Sequence, residues 1–186
     1  MNVKDAILSR RTVRSFSQEA IETEMLTTIC EISRLYASGA NLQPIRLKIV
    51  NDKELCAKIF PHTRWAGYTP DYEMPPHNRP TAYILLLSDR EINPNPQFDA
   101  GAISTNMMLL AKEYGLDTCC IGSFDRKEVS DILQIDTGKY QPLYLIAFGK
   151  GTQDNRIEPV SDGIKYRYED GRFIVPKYIL SDIIVE

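Results

Sequence analysis

Two uninterrupted apolar runs constrain the fold of this chain more than any other feature of its sequence. Residues 82–87 are AYILLL, and residues 143–148 are LYLIAF. Short runs of this kind are typical of strands that are buried in a sheet, with other elements packed against them. The sequence therefore predicts an α+β fold, in which helices flank a mostly antiparallel central sheet.

Helical periodicity and turn residues supply the elements around these two strands. Apolar residues three or four positions apart predict helices, and short alternating runs predict further strands. Asp99 is expected to cap one helix, and residues 60–80, which hold many of the prolines, indicate a long ordered loop. The predicted helices cover 3–9, 21–36, 100–114 and 125–133, and the predicted strands cover 45–49, 82–87, 118–123 and 143–148. The buried face of the second helix should carry Ile21, Met25, Ile29, Ile32 and Tyr36.

The C-terminal segment contains a turn followed by an apolar, extended stretch. Residues 169–171 are Glu-Asp-Gly, which is typical of a hairpin turn, and residues 174–185 are mostly apolar. Because this stretch follows the last buried strand, we expect residues 164–186 to pack on a partner subunit. The whole chain, residues 1–186, is expected to form a single domain.

Charge and residue usage argue against several classes of function. The chain has 22 Lys and Arg against 25 Asp and Glu, a balance that does not suit a nucleic-acid partner. The two histidines lack the spacing of metal ligands, so no metal is expected. No run of residues is long and apolar enough for a membrane helix or a leader, so we expect a cytoplasmic protein with no membrane partner.

The start of the chain is basic, although the net charge of the chain is −3. Arg10, Arg11 and Arg14 lie within five residues of one another, together with the hydroxyl group of Thr12. Guanidinium groups match the geometry of phosphate oxygens, which makes this segment a candidate phosphate site. The alternative is a solvated basic helix end that complements the helix dipole.

A polar segment, SGANLQP, follows the second predicted helix at residues 38–44. Ser38, Asn41 and Gln43 offer donors and acceptors that suit the edge of a polar heterocycle. The same residue types are also favoured in an ordinary turn between a helix and a strand, and that alternative stays open.

A second candidate segment spans residues 115–124 and combines cysteines with glycine and serine. Gly122 and Ser123 can expose backbone amides to a ligand. Cys119 and Cys120 are either small buried hydrophobic residues or the thiols of a redox protein, and the sequence leaves both interpretations open.

These segments, in this order and spacing, resemble the nitroreductase family of FMN-dependent oxidoreductases, and in particular a compact subgroup of that family. The resemblance covers nearly the whole chain. It implies a nitroreductase-like FMN-binding fold in a domain-swapped homodimer, with two FMN sites at the subunit interface. The segments that carry it are RRTVRSF (10–16), SGANLQP (38–44), RWAGYTPDY (64–72), RPTAYILLL (79–87), DAGAISTNMMLLAKEYGLDTCCIGSFDR (99–126) and IKYRYEDGRFIVPK (164–177).

The resemblance also implies roles for individual residues. Arg10 and Thr12 should contact the phosphate and ribityl chain of FMN, and Arg14 should reach the N1/O2 end of the flavin. Ser38 and Asn41 should come from the partner subunit. The residues implied to bind FMN are Arg10, Arg11, Thr12, Arg14, Ser38, Asn41, Gln43, Cys120, Ile121, Gly122, Ser123 and Lys177, and those implied to line the substrate pocket are Trp65 and Tyr68.

The implied activity is the reduction of nitroaromatic, quinone or similar small-molecule acceptors by NADH or NADPH. In this family the electrons pass by ping-pong hydride transfer through flavin N5, and no side chain acts as the catalytic group. An alternative is a non-catalytic FMN-binding redox sensor or storage protein. The chain departs from the subgroup's usual residues at Thr12, Thr105, Asp117, Cys120 and Tyr178. These departures bear on the shape of the pocket.

Overall fold

The two apolar runs form the central strands of a four-stranded antiparallel sheet. A computed structural model of the chain describes residues 1–93 and 95–185. All eight residues of the second strand are buried. The strand order is β1-β2-β4-β3, where β1 is Ile45–Val50, β2 is Ala82–Asp89, β3 is Asp117–Ile121 and β4 is Tyr140–Gly149. The predicted α+β fold with an antiparallel sheet is therefore confirmed.

Helices cover both faces of this sheet and enclose two hydrophobic clusters. On one face, Ile84 and Leu86 of β2 pack with residues of the second and fourth helices. On the other face, Tyr83 and Leu85 pack with residues of the third and fifth helices. This alternation follows from the two-residue period of a strand. The helices are α1 (Val3–Ser9), α2 (Thr23–Ser33), α3 (Lys53–Ile59), α4 (Gln97–Glu113) and α5 (Arg126–Leu133).

Three features of the helices differ from the sequence prediction. Helix α3 was not predicted; it begins after Asp52, whose side chain accepts a hydrogen bond from the backbone N–H of Leu55 at 2.8 Å. Helix α4 begins at Gln97 after Pro96, so Asp99 lies inside the first turn and does not cap it. Ile32 of α2 is 41% exposed, because the buried face of that helix is turned toward Leu26, Ile29 and Ser33.

A second, three-stranded sheet follows β4 and includes the predicted hairpin. Its order is β5-β7-β6, with β5 (Arg156–Pro159), β6 (Arg167–Glu169) and β7 (Arg172–Lys177). The turn between β6 and β7 has Asp170 and Gly171 at φ values of 49° and 79°, where glycine is the favoured residue. Arg167–Glu169 and Arg172–Lys177 are thus paired within their own chain, and packing on a partner subunit remains a prediction for the tail.

No helix in the described ranges 1–93 and 95–185 is long and apolar enough to cross a membrane.

Candidate functional site

The basic segment runs in an extended conformation along the outer edge of β3. Thr12 forms a parallel bridge with Thr118, and the backbone N–H of Val13 donates to the carbonyl of Thr118 at 3.0 Å. Further on, the backbone N–H of Phe16 donates to the carbonyl of Asn78 at 3.0 Å. The backbone of the segment is therefore fixed by the sheet.

Two side-chain amides from the part of the chain that follows β4 bind the backbone of the basic segment on its other side. Asn155 donates through Nδ2 to the carbonyl of Thr12 at 2.8 Å, and Oε1 of Gln153 accepts from the backbone N–H of Arg14 at 2.9 Å. Asn155 also accepts, through Oδ1, from the backbone N–H of Phe173 at 2.8 Å. These contacts involve the backbone of the basic segment and tie it to the start of β7.

The charges of the three arginines are not neutralised by acidic side chains. Among the described residues, none of Arg10, Arg11 and Arg14 forms an ion pair. Burial, followed by the nearby charge of Arg11, lowers the pKa of Arg10. Nε of Arg14 is buried without a hydrogen-bond partner. Unpaired guanidinium groups that are partly removed from water form a site for an anion.

Aromatic side chains surround the guanidinium group of Arg14. Its Cζ atom lies 4.8 Å from the ring centre of Tyr166 and 4.6 Å from that of Phe173. Tyr72 donates its hydroxyl hydrogen to the carbonyl of Arg14, and burial raises the pKa of Tyr72 to about 12. The phenol therefore remains a donor at neutral pH. Tyr68, for which the resemblance implies a place in the substrate pocket, is 52% exposed and packs on Tyr166 at 4.9 Å between ring centres.

The segment beyond β3 presents the predicted backbone positions at the surface. Ile121 is buried, whereas Gly122 and Ser123 are exposed. The carbonyl of Ser123 accepts from the backbone N–H of Arg64 at 2.9 Å. A cavity of about 540 Å³ adjoins both, and its lining includes Arg64 and Arg126. The predicted backbone amides thus lie beside two cationic side chains that the sequence did not single out.

Cys119 of β3 is buried in the core and Cys120 is partly buried, and both are poor nucleophiles. Cys119 packs in the same hydrophobic cluster as α3 and α5, and Cys120 packs against the opposite cluster. Burial raises the pKa of Cys119 to about 12 and that of Cys120 to about 11. Since the thiolate is the reactive species, this environment argues against the thiol-based alternative.

Trp65 follows Arg64 in the loop 60–80 and packs against the core. Its Nε1 donates to Oγ1 of Thr63 at 2.7 Å, and its ring stacks on Phe60 with 5.9 Å between the ring centres. It is half-buried and packs against the cluster that contains Cys119. The described hydrogen bonds and ring contacts do not bring Trp65 to the arginine segment.

The polar segment 38–44 forms a tight turn with its own hydrogen bonds. Ser38 donates to Oδ1 of buried Asp99 at 2.5 Å and accepts from the backbone N–H of Gln43 at 2.9 Å. Gln43 donates to Oδ1 of Asn41 at 3.0 Å, and both residues have positive φ values. Within the described residues, no hydrogen bond or ion pair joins this turn to the arginine segment of the same chain.

Lys177 lies at the end of β7 with an exposed side chain. Its carbonyl accepts from the backbone N–H of Val160 at 3.0 Å. Lys177 is four residues beyond Phe173, and a strand advances about 13 Å over that distance. The described contacts therefore connect Phe173, and not Lys177, to the arginine segment.

Several residues of the site could not be found from the sequence. Gln153 and Asn155 belong to no segment described above, whereas Tyr72, Tyr166 and Phe173 lie in segments that carry the family resemblance, which implies no role for them. The one available signal was the density of aromatic residues in 164–173. The described residues contain no group of three His, Cys, Asp or Glu side chains that could hold a metal ion.

Comparisons with known proteins agree on one family and one fold. The model of the Nitroreductase family matches residues 7–150. A protein of Bacillus subtilis (strain 168), provisionally named NAD(P)H nitroreductase YdgI, is 22% identical over 180 residues, covering 78% of this chain and 86% of its own.

Two solved structures share the fold over the full length of this chain. One, from Desulfovibrio desulfuricans, is provisionally described as a nitroreductase in complex with FMN; it is 24% identical, with 96% of its chain covered and a TM-score of 0.73. The other, from Staphylococcus epidermidis, is provisionally described as an NAD(P)H:FMN oxidoreductase; it is 19% identical, with 95% of its chain covered and a TM-score of 0.71.

Proposed function

The chain belongs to the nitroreductase family, and from that membership we propose that it is an FMN-dependent oxidoreductase using NADH or NADPH. Its acceptors are nitroaromatic, quinone or similar small molecules. The names of its relatives support this proposal, since YdgI is provisionally an NAD(P)H nitroreductase and the Desulfovibrio structure is described with FMN.

The observation that carries the proposal is the set of unneutralised arginines at the edge of β3. Arg10 and Arg11 offer two adjacent positive charges, and Arg14 holds a buried Nε donor without an acceptor. FMN would offer its phosphate to Arg10 and Arg11, and it would offer acceptor atoms on the flavin ring to Arg14. The residues present therefore fit this cofactor in both charge and donor type.

FMN, when bound, would supply the redox chemistry, which is hydride transfer from the reduced nicotinamide at N5 and reduction of the acceptor in a ping-pong cycle. The chain's own residues bind and orient. Arg10, Arg11 and Thr12 hold the phosphate end, and Arg14 places positive charge where negative charge collects. Cys120 and Ile121 fix the strand that leads to the exposed amides of Gly122 and Ser123. Trp65 and Tyr68 belong to the loop that covers the substrate pocket.

The site is completed by a second copy of the chain. Ser38, Asn41 and Gln43 form a hydrogen-bonded turn that makes no hydrogen bond or ion pair with Arg10, Arg11 or Arg14 among the described residues, as suits residues offered to a partner's site. The tail beyond Lys177 exposes apolar side chains, which are Ile179, Leu180, Ile183, Ile184 and Val185, each at least 51% exposed. Exposed apolar surface of this extent indicates an interface.

Sedimentation tests this assembly. The full chain is expected to sediment as a dimer, and a chain ending at Lys177 is expected to dissociate and to retain less FMN. A monomeric full chain that holds FMN would contradict the role given to the partner.

The colour of the purified protein tests the function directly. We expect a yellow protein whose flavin absorbance is bleached by NADH or NADPH without oxygen and restored by a nitroaromatic or quinone. Steady oxidation of NAD(P)H with such an acceptor separates an enzyme from a sensor. Bound FMN without turnover would favour the redox sensor or store, and absence of bound FMN after reconstitution would overturn the proposal.

A further inference from the structure

The guanidinium group of Arg14 sits in a corner formed by two aromatic rings. The ring centres of Tyr166 and Phe173 lie 4.8 Å and 4.6 Å from Cζ, and the two rings are 5.7 Å apart at an angle of 80°. Each ring thus limits the guanidinium group from a different direction. An arginine held in this way has a defined position without a carboxylate partner.

Whether Arg14 is held by aromatic rings or by a carboxylate determines whether its charge is available to a ligand. A cation that lies near a ring face is attracted by the ring, and this attraction is stronger where water is excluded. A carboxylate would also hold the side chain, but it would cancel the charge that a ligand needs. Since Arg14 has no ion pair among the described residues and its Nε lacks a partner, its charge remains available.

Hydrogen bonds and a ring contact connect these aromatic rings to the backbone of Arg14. Tyr72 bonds to the carbonyl of Arg14, and its ring packs edge-on against Phe173 at 5.0 Å between ring centres. Gln153 accepts from the backbone N–H of Arg14 and donates to the hydroxyl of Tyr72 at 3.4 Å. The backbone and the side chain of Arg14 are therefore fixed by one connected group of residues.

We propose that Tyr166 and Phe173 are positioning residues that hold the charged guanidinium group of Arg14 against the flavin and so raise the reduction potential of bound FMN. This inference rests on the proposed function, because it assigns Arg14 to the flavin. Tyr166 and Phe173 act through Arg14. A mobile Arg14 would spread its charge over many positions and would stabilise the added negative charge less.

The test compares Tyr166→Leu with Tyr166→Phe, measuring the midpoint potential of bound FMN by spectroelectrochemistry. Tyr166 is half-buried, so both variants should fold, and a thermal melt of each checks this. Tyr166→Leu should lower the preference for reduced over oxidised FMN about tenfold, which is ~30 mV toward negative potential for a two-electron couple. Tyr166→Phe keeps the ring and should keep the wild-type potential.

A double-mutant cycle separates positioning from packing. In an Arg14→Gln background, Tyr166→Leu should leave the potential where Arg14→Gln alone puts it. An equal shift in both backgrounds, an unchanged potential in Tyr166→Leu, or the same shift in Tyr166→Phe would overturn this inference while the protein still binds FMN. A wild-type chain that binds no FMN would overturn the inference together with the proposed function.

Discussion

The surroundings of each arginine in the basic segment determine what that arginine can bind. Arg10 is partly removed from water and lies beside the positive charge of Arg11, so both factors lower its pKa. Its guanidinium group stays charged but is less well stabilised than one in water, and a bound anion would compensate for this. Arg14 is instead stabilised by ring faces, which leave its charge intact. The first environment suits a doubly charged phosphate, and the second suits a group that gains charge during the reaction.

Replacing Arg10 with Ala should weaken the retention of FMN. A hydrogen bond to a charged group contributes about 1.5–3 kcal/mol, so the dissociation constant should rise about 10- to 100-fold. Titration of the apoprotein, followed by the quenching of FMN fluorescence, measures this change.

The matched control for that experiment is Arg34→Ala. Arg34 forms an exposed ion pair with Glu31 at 2.6 Å, and such surface pairs contribute little. Equal dissociation constants of FMN for the two variants would show that Arg10 does not contribute to FMN binding.

At the scale of the elements, the sequence predicted what a repeating pattern can reveal. The runs 82–87 and 143–148 became the two central strands, because a continuous apolar run can be buried only between two layers. Helix α3 was not predicted, although Asp52 caps it and its buried residues Cys56 and Ile59 have helical spacing. Ile32 was placed on the wrong face because α2 has more apolar residues than its contact with the core can cover.

The same distinction between local sequence patterns and tertiary packing applies to the candidate site. The arginines 10–14 were found because their charge density is local, whereas Gln153, Asn155 and Phe173 reach the site only through tertiary packing. Asp99 was expected to cap a helix, but Pro96 already fixes the backbone at that helix's start and Asp99 binds Ser38. Local patterns therefore indicate the charges that are proposed to bind the ligand, and they do not indicate the residues that position these charges.

Two glycines that differ in their surroundings offer a test at the scale of elements. A Cβ atom on Gly149, at the end of β4, would lie 2.7 Å from Cδ1 of the fully buried Phe16. Gly149→Ala should therefore lower the free energy of unfolding by about 1–3 kcal/mol. Urea denaturation at fixed protein concentration measures this change in the free energy of unfolding.

Gly101→Ala is the control, and its effect should have the opposite sign. Gly101 is an exposed residue inside α4 with no atom within 4 Å of the added Cβ. Alanine in a helix interior should stabilise the fold by about 0.5–1 kcal/mol. A Gly149→Ala midpoint equal to that of the wild type would mean that Phe16 can move aside.

At the scale of the whole molecule, the interior holds weak acids that burial keeps protonated. Burial raises the pKa of Cys30 and Cys120 to about 11 and that of Cys56 and Cys119 to about 12. The pKa of buried Tyr83 is raised as well, for the same reason. In the unfolded chain these groups ionise at lower pH, so unfolding releases protons in alkaline solution.

Stability should therefore fall as the pH rises above about 9. The contribution of each buried thiol is complete below the pKa that it has in the unfolded chain, and it is lost as the pH rises toward the folded value. Each such group adds a slope of about 1.4 kcal/mol per pH unit in that interval. Urea midpoints between pH 8 and 11, with a reductant present, measure the trend.

Cys119→Ala provides the matched variant, since it removes one of these acids from the core. It should lower stability at pH 8 through lost packing, yet show a shallower decline toward pH 11. A wild-type midpoint that is flat or rises over this range would contradict the assignment of protonated interior thiols.

The position of the basic segment has a consequence for solubility. An exposed strand edge is a template for pairing with other molecules. The outer edge of β3 is covered by Thr12 and Val13, and its continuation is covered by Thr63 and Arg64. The segment proposed to hold the cofactor thus also shields the sheet. A chain whose arginine segment detaches would expose that edge, and loss of the ligand and self-association would begin with the same local opening.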